Sequence, residues 1–331
     1  MPSLESRIRG SIYGITVADA LGGPVEFHAR GSFPPVTDYR YNDNFDLPPG
    51  SWTDDTSLTL CLAQSLIDKK GAFDAADQVS KYIEWHEKGY MSVNKKCFDI
   101  GNATRIALVT WKDHLRTGEG DLASGQYLVN RSLKRKNQCG NGSLMRVAPI
   151  GLVYYQNPAV ALANSVLSSQ VTHPYPTNSE ACKIYTQLIV RTLESASKEE
   201  IASNLISYAF DDPDLRSRFA KYSDLASFES MEERRISSYG YVVDSLEASL
   251  WAFFTTSTFE QGALKVVNLG HDADTVGAIY GGLAGAFYGI ENVPQKWISG
   301  LENRETIEAV AEGLVALVAG GPHDGDSTRD F

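Results

Sequence analysis

Asn268-Leu-Gly-His-Asp-Ala-Asp-Thr275, running straight into Val276-Gly-Ala-Ile-Tyr-Gly-Gly-Leu-Ala-Gly-Ala-Phe-Tyr-Gly289, is the stretch on which the reading of this chain turns. Gly277, Ala278, Gly281, Gly282, Ala284, Gly285 and Gly289 line the second half with small residues. An interior glycine costs a helix about 1 kcal/mol relative to alanine. Such a helix makes sense when it is buried and neighbouring backbones press close, so this one is expected to be the central helix. Asp272, Asp274 and Thr275 sit at its mouth. One acid there is an ordinary cap, since a helix N-terminus carries unpaired N–H groups and a partial positive charge. Two acids one residue apart exceed what a cap needs. In an extended entry segment they point the same way and can aim at one point, where a divalent cation is the best candidate.

Working outward, Ser51-Trp-Thr-Asp-Asp-Thr56 leads into Ser57–Asp68, where Leu58, Cys61, Leu62, Ser65 and Leu66 keep helical spacing. Thr53, Asp54 and Asp55 therefore stand at a second acidic helix mouth. If the two mouths face each other, the four carboxylates of Asp54, Asp55, Asp272 and Asp274 match the charge of two divalent ions. Hard oxygen ligands without His or Cys suit two Mg²⁺ or Mn²⁺ rather than zinc.

Amphipathic spacing predicts further helices at Leu4–Ala20, Asp74–Lys88, Arg105–Leu115, Leu144–Tyr154, Ala159–Val171, Asn178–Glu194, Lys198–Ala209, Asp214–Lys221, Val242–Phe254, Phe259–Leu269, Pro294–Gly300 and Arg304–Ala319. Arg30–Gly50, with four prolines and four aromatics, reads as a long ordered loop. Thr117–Gln138, polar and carrying Arg131, Lys134, Arg135 and Lys136, reads as a solvated loop. Alternating strand patterns bounded by turns are nearly absent, so the fold is expected to be all-α. No linker marks a boundary, and one domain over residues 1–320 with a flexible tail at 321–331 is expected.

Lys+Arg 30 against Asp+Glu 41 gives a net charge of −11, which disfavours nucleic acid or an anionic membrane bound by bulk charge. The four cysteines, Cys61, Cys97, Cys139 and Cys182, lack the close spacing of a zinc site and read as free thiols of a reducing compartment. No apolar run approaches the roughly 18–20 residues of a membrane span, and Met-Pro-Ser-Leu-Glu-Ser-Arg lacks a signal peptide's apolar core. A soluble cytoplasmic or nuclear protein, monomeric, is the expectation.

Taken in order, Gly14-Ile-Thr-Val-Ala-Asp-Ala-Leu-Gly22 with Glu26, Trp52-Thr-Asp-Asp-Thr56, Phe98-Asp-Ile-Gly101, Gly140-Asn-Gly-Ser-Leu-Met-Arg146, Thr172-His173, Gly240-Tyr-Val-Val-Asp-Ser-Leu-Glu-Ala248 and Asp272-Ala-Asp-Thr275 form an ordered set. The chain resembles the ADP-ribosylglycohydrolase (ADP-ribosylhydrolase) family over roughly Ile8 to Leu317, including the dinitrogenase reductase-activating type. The resemblance implies a compact all-α fold around a binuclear metal site that hydrolyses the N- or O-glycosidic bond between ADP-ribose and a protein side chain. It makes Thr53, Asp54, Asp55, Asp272, Asp274 and Thr275 the metal ligands, with Asp55 or Asp274 shared.

The same resemblance leaves two acids for proton management. Asp99 matches the position used by the arginine-directed branch and is favoured; Glu26 matches the serine-directed branch and would gate or assist. Gly140, Asn141, Gly142 and Ser143 would wrap the diphosphate and proximal ribose through backbone donors and the Asn141 amide. His173 would contact the ligand, and Tyr239 or Tyr241 would stack on adenine. ADP-ribosylated arginine is the expected substrate. Serine-linked or other ADP-ribose, an ADP-ribosylated nucleic acid or small molecule, or a catalytically silent crystallin-like role are the alternatives. One departure stands out: the family commonly has glycine where this chain has His271, which would either orient Asp272 or point to solvent.

Overall fold

The computed structural model of the protein describes residues 2–116, 121–321 and 323. The helices are α1 (Leu4–Gly22), α2 (Asp54–Asp68), α3 (Ala75–Lys88), α4 (Asn102–Arg116), α5 (Leu122–Ser132), α6 (Ala148–Val153), α7 (Pro158–Gln170), α8 (Pro176–Leu193), α9 (Lys198–Ile206), α10 (Pro213–Phe219), α11 (Leu225–Glu229), α12 (Val242–Phe254), α13 (Phe259–Val267), α14 (Ala273–Tyr288), α15 (Gln295–Ser299) and α16 (Arg304–Ala319). Among the described residues the only β pairings are isolated bridges, Asn42 with Leu47 and Gly140 with Tyr241. The fold is all-α, and none of these helices is long and apolar enough to cross a membrane.

The glycine-lined α14 is central, as its composition requires, and α1 lies antiparallel against it. A Cβ on Gly281 would stand 2.0 Å from the carbonyl oxygen of Gly14, and one on Gly285 would stand 1.9 Å from that of Gly10. Only hydrogen fits there, so the two backbones touch. The contact extends to the helix ends, where a Cβ on Gly22 would meet the amide nitrogen of Asp274 at 2.4 Å. The last turn of α1 is thereby fixed beside the first turn of α14. Ser3 starts α1 by accepting the Ser6 amide, and Asp74 starts α3 by accepting that of Asp77.

Four expectations need correction. Half of the segment expected as a loop at Thr117–Gln138 is α5, capped by Asp121, which accepts the Ser124 amide at 2.7 Å; residues 117–120 lie outside the described residues. Its core-facing positions include Gly125, which admits the Trp111 ring, and Gln126, which donates to the Gln170 carbonyl at 2.7 Å. A buried face of Gly125, Gln126 and Val129 offers one apolar side chain and so no apolar period to read. The helix expected from Leu144 begins at Ala148, because residues 141–146 form consecutive turns. Helix α11, only five residues and capped by Asp224, was not expected at all. The helix expected to reach Ala209 ends at Ile206. Of the tail at 321–331, only Gly321 and His323 lie among the described residues.

Candidate active site

Three helix ends converge. Thr53 is the N-cap position of α2 and Asp272 that of α14, yet neither side chain makes a capping hydrogen bond. The cap of α2 comes instead from α1. Asp19, fully buried, accepts from the amide and hydroxyl of Thr53 at 3.0 and 2.9 Å and from the amide and hydroxyl of Thr56 at 3.0 and 2.6 Å. Relieved of capping, Asp54 and Asp55 are free to face α14. The Thr53 hydroxyl lies 3.1 Å from Asp55 Oδ2 and 3.3 Å from Asp274 Oδ2, and that of Thr275 lies 3.3 Å from Asp55 Oδ2.

Carboxylate oxygens of Asp19, Asp55 and Asp274 lie within 4.8 Å of one another, as do those of Glu26, Asp272 and Asp274. Asp274 belongs to both groups. Burial first, then mutual repulsion, raises the pKa values of Asp54, Asp55 and Asp274 well above the carboxylate range. Burial also raises Glu26, and it pushes Asp99 up to about 8 and Asp19 up to about 6. Glu26 Oε2, Asp55 Oδ1 and Asp99 Oδ2 are buried without a hydrogen-bond partner among the described residues. Buried acids with unused oxygens and no cationic neighbour fit a site for divalent metal, whose charge offsets theirs and whose coordination takes up the orphaned oxygens.

These acids open into a cavity of about 560 Å³ lined by Glu26, Phe27, Asp54, Asp99, Asp272 and Asp274 on one side and by Gly140, Asn141, Gly142, His173 and Tyr239 on the other. Among the described residues no lysine or arginine lines it. Asp99 has a left-handed backbone, φ 58°, and precedes α4 by three residues, so it is not that helix's cap. The opposite wall is a turn built around Arg146, which is fully buried and donates to the Gly142 carbonyl at 2.6 Å and the Thr172 hydroxyl at 2.7 Å. Its guanidinium lies 4.7 Å from the centre of the Tyr82 ring. Asn178 holds the Gly140 carbonyl at 2.6 Å.

The comparisons with known proteins agree with this geometry. The sequence profile described as ADP-ribosylglycohydrolase matches residues 1–323. The chain belongs to the ADP-ribosylglycohydrolase family. It is 35% identical over 308 residues to the ADP-ribosylarginine hydrolase Tri1 of Pseudomonas putida (strain GB-1), covering 93% of this chain and 77% of that one. It is 29% identical over 328 residues to the ADP-ribosyl-[dinitrogen reductase] glycohydrolase of Rhodospirillum rubrum, covering 96% and 98%. A solved structure titled ADP-ribosylglycohydrolase-related protein complex matches with a TM-score of 0.77 at 34% identity, covering 95% of this chain and 99% of its own. This ADP-ribosylglycohydrolase is accordingly a hydrolase of ADP-ribose glycosidic bonds.

Within the ADP-ribosylglycohydrolase frame, the residues expected from sequence do not all reach the cavity. Thr53 and Asp55 lie beneath its floor, while Asp54, Asp272, Asp274 and Thr275 line it. The Asn141 amide, expected to face the diphosphate, instead donates to Asp272 Oδ2 at 2.5 Å and Ser245 Oγ at 2.8 Å, and so positions an acid. The Ser143 hydroxyl faces the core, accepting from Ser169 at 2.9 Å and lying 3.5 Å from the Cys182 thiol; only its backbone is left for a ligand. Tyr241 does not line the cavity, and its hydroxyl donates to Asp214 at 2.5 Å, so of the two tyrosines only Tyr239 lines it. His173 lines the cavity, its Nδ1 2.8 Å from the Thr172 hydroxyl, and burial beside Arg146 pulls its pKa down to about 3, so it is neutral.

His271 neither orients Asp272 nor stands free in solvent. Its φ is 59°, the amide donates to the His28 carbonyl at 2.7 Å, and the ring packs on Tyr239 with centroids 4.0 Å apart. Sequence reading missed Asp19 and Asn141 as the groups that set the acids. Asp19 did leave a signal: an acid in the last turn of a helix opposes the dipole, and needs a partner elsewhere.

Proposed function

We propose that this ADP-ribosylglycohydrolase cleaves the N-glycosidic bond between ADP-ribose and arginine, using two Mg²⁺ or Mn²⁺ ions held by Thr53, Asp54, Asp55, Asp272, Asp274 and Thr275. The observation that carries the reading is the charge of the cavity: acids from Glu26, Asp54, Asp55, Asp99, Asp272 and Asp274 gather at one place, and among the described residues no lysine or arginine lines it. Asp19 stands apart, because four protein donors already satisfy it. Two divalent ions would offset the four carboxylates that hold them. Glu26 and Asp99 remain, and a guanidinium, cationic where a serine hydroxyl is not, favours their ionised form and is the acceptor that suits them.

Bound cations would hold the ribose hydroxyls and lower the pKa of an attacking water. The protein groups do the rest. Asp99, outside the capping role and buried beside Asp272 and Asp274, is placed to give and take the proton at the scissile bond. Glu26, beside it on the same wall, assists. The Gly142 and Ser143 amides, without a backbone acceptor among the described residues, are donors for the diphosphate. The working unit in this reading is one monomeric cytoplasmic domain over residues 1–320.

A panel of equal concentrations of ADP-ribosyl-arginine, ADP-ribosyl-serine and an O-acyl ADP-ribose tests the acceptor. Cleavage of the arginine conjugate at least about tenfold faster than the serine conjugate is expected from an acceptor difference of one charge. A preference for serine would overturn the arginine assignment and move the proton-handling role towards Glu26.

A further inference from the structure

Beside the cavity lies a smaller recess of about 420 Å³, lined by Arg30, Arg234, Arg235, Ser237, Tyr239 and His271 among others. Tyr239 and His271 also line the cavity, so this packed ring pair is the wall between the two. The charge reverses across that wall. Carboxylates fill one side, and three arginines gather on the other, in a chain whose net charge is −11.

The arginines are not spent on acids. Arg30 is fixed by donating to the carbonyls of Leu269, Glu233 and Ile236 at 3.3, 2.7 and 2.6 Å, which orients its guanidinium without neutralising it. Arg234 pairs at 2.7 Å with Glu232, but the two side chains are 82% and 57% exposed, and such a pair holds weakly. Among the described residues neither Arg30 nor Arg235 has a carboxylate within 4.0 Å. The nearby acids are Glu232 and Glu233, both exposed, and Asp244, which accepts from Ser237 and is already paired with Arg218.

We propose that this recess is a docking subsite for an acidic side chain of the substrate protein, close in sequence to the ADP-ribosylated residue. A polypeptide that delivers its modified side chain into the cavity crosses the Tyr239–His271 rim. An extended chain advances about 3.3 Å per residue, so a neighbour within roughly three positions falls over the recess. The rings also explain a local feature. A histidine held at positive φ supplies the second half of the wall, which a glycine at position 271 would not. The proposal rests on the cavity's reading as a site for a modified protein arginine.

The test uses the full-length protein, ADP-ribosyl-arginine, and two ADP-ribosylated peptides that differ only in aspartate or asparagine beside the modified arginine. Wild type should favour the aspartate peptide about fivefold in kcat/KM, the preference shrinking as salt rises. It should vanish in the Arg234→Glu/Arg235→Glu double variant, with turnover of ADP-ribosyl-arginine unchanged. Equal rates on both peptides in wild type would overturn the proposal. So would a double variant that slows ADP-ribosyl-arginine itself, because the recess would then hold part of ADP-ribose. If wild type leaves ADP-ribosyl-arginine intact, the acceptor reading has failed, and the same peptide pair carrying the linkage that is cleaved decides the recess.

Discussion

Asp19 shows how much of this site depends on one buried side chain that touches no cavity. It replaces the absent side-chain cap of α2, and its four hydrogen bonds turn the Thr53 hydroxyl towards Asp55 and Asp274. Asp19→Asn keeps the shape but puts an NH₂ against donors that need an acceptor. Partners that orient metal ligands typically cost about 10- to 100-fold in metal affinity when changed. Calorimetric titration of the variant with Mn²⁺ should show a loss in that range while the chain stays folded. A lower melting temperature with unaltered Mn²⁺ affinity would reduce Asp19 to a helix cap. At the same scale, Asn141 does for Asp272 what Asp19 does for Thr53. Neither partner was readable from sequence, since each contact joins residues 34 or more positions apart, although Asp19's place in the last turn of α1 marked it as needing one.

At the scale of elements, the glycine face of α14 sets two opposing effects against each other. Replacing an interior helical glycine by alanine gains about 1 kcal/mol of propensity. At Gly281 the new methyl would stand 2.0 Å from a backbone oxygen of α1, which cannot step aside as a side chain can. Overpacking should win, and Gly281→Ala should lose about 1–3 kcal/mol in urea denaturation. Gly313→Ala, whose methyl meets the flexible end of Ile67, is the control and should lose less or gain. Equal effects at both positions would show that α1 and α14 are not locked by backbone contact. The central helix was legible because its composition admits one packing solution. Both acidic mouths were legible because two adjacent acids exceed a cap's need. Helix α5 was not, since Gly125 and Gln126 take the core-facing places that apolar residues usually mark.

For the whole molecule, the site is where three helix ends are pressed together by packing that has no electrostatic purpose. Burial raises the pKa values of Asp54, Asp55 and Asp274 far above their ordinary range, because each would be charged beside others while almost wholly buried. A fold that tolerates such repulsion, with unused oxygens on Glu26, Asp55 and Asp99, implies compensating positive charge during its working cycle. The most direct measurement is the release of ADP-ribose from ADP-ribosyl-arginine by protein stripped with chelator, then supplied with Mg²⁺ or Mn²⁺. Activity should fall by at least about a hundredfold in chelator, the scale of removing a principal transition-state contact, and return with either ion. Undiminished turnover in chelator would contradict the account.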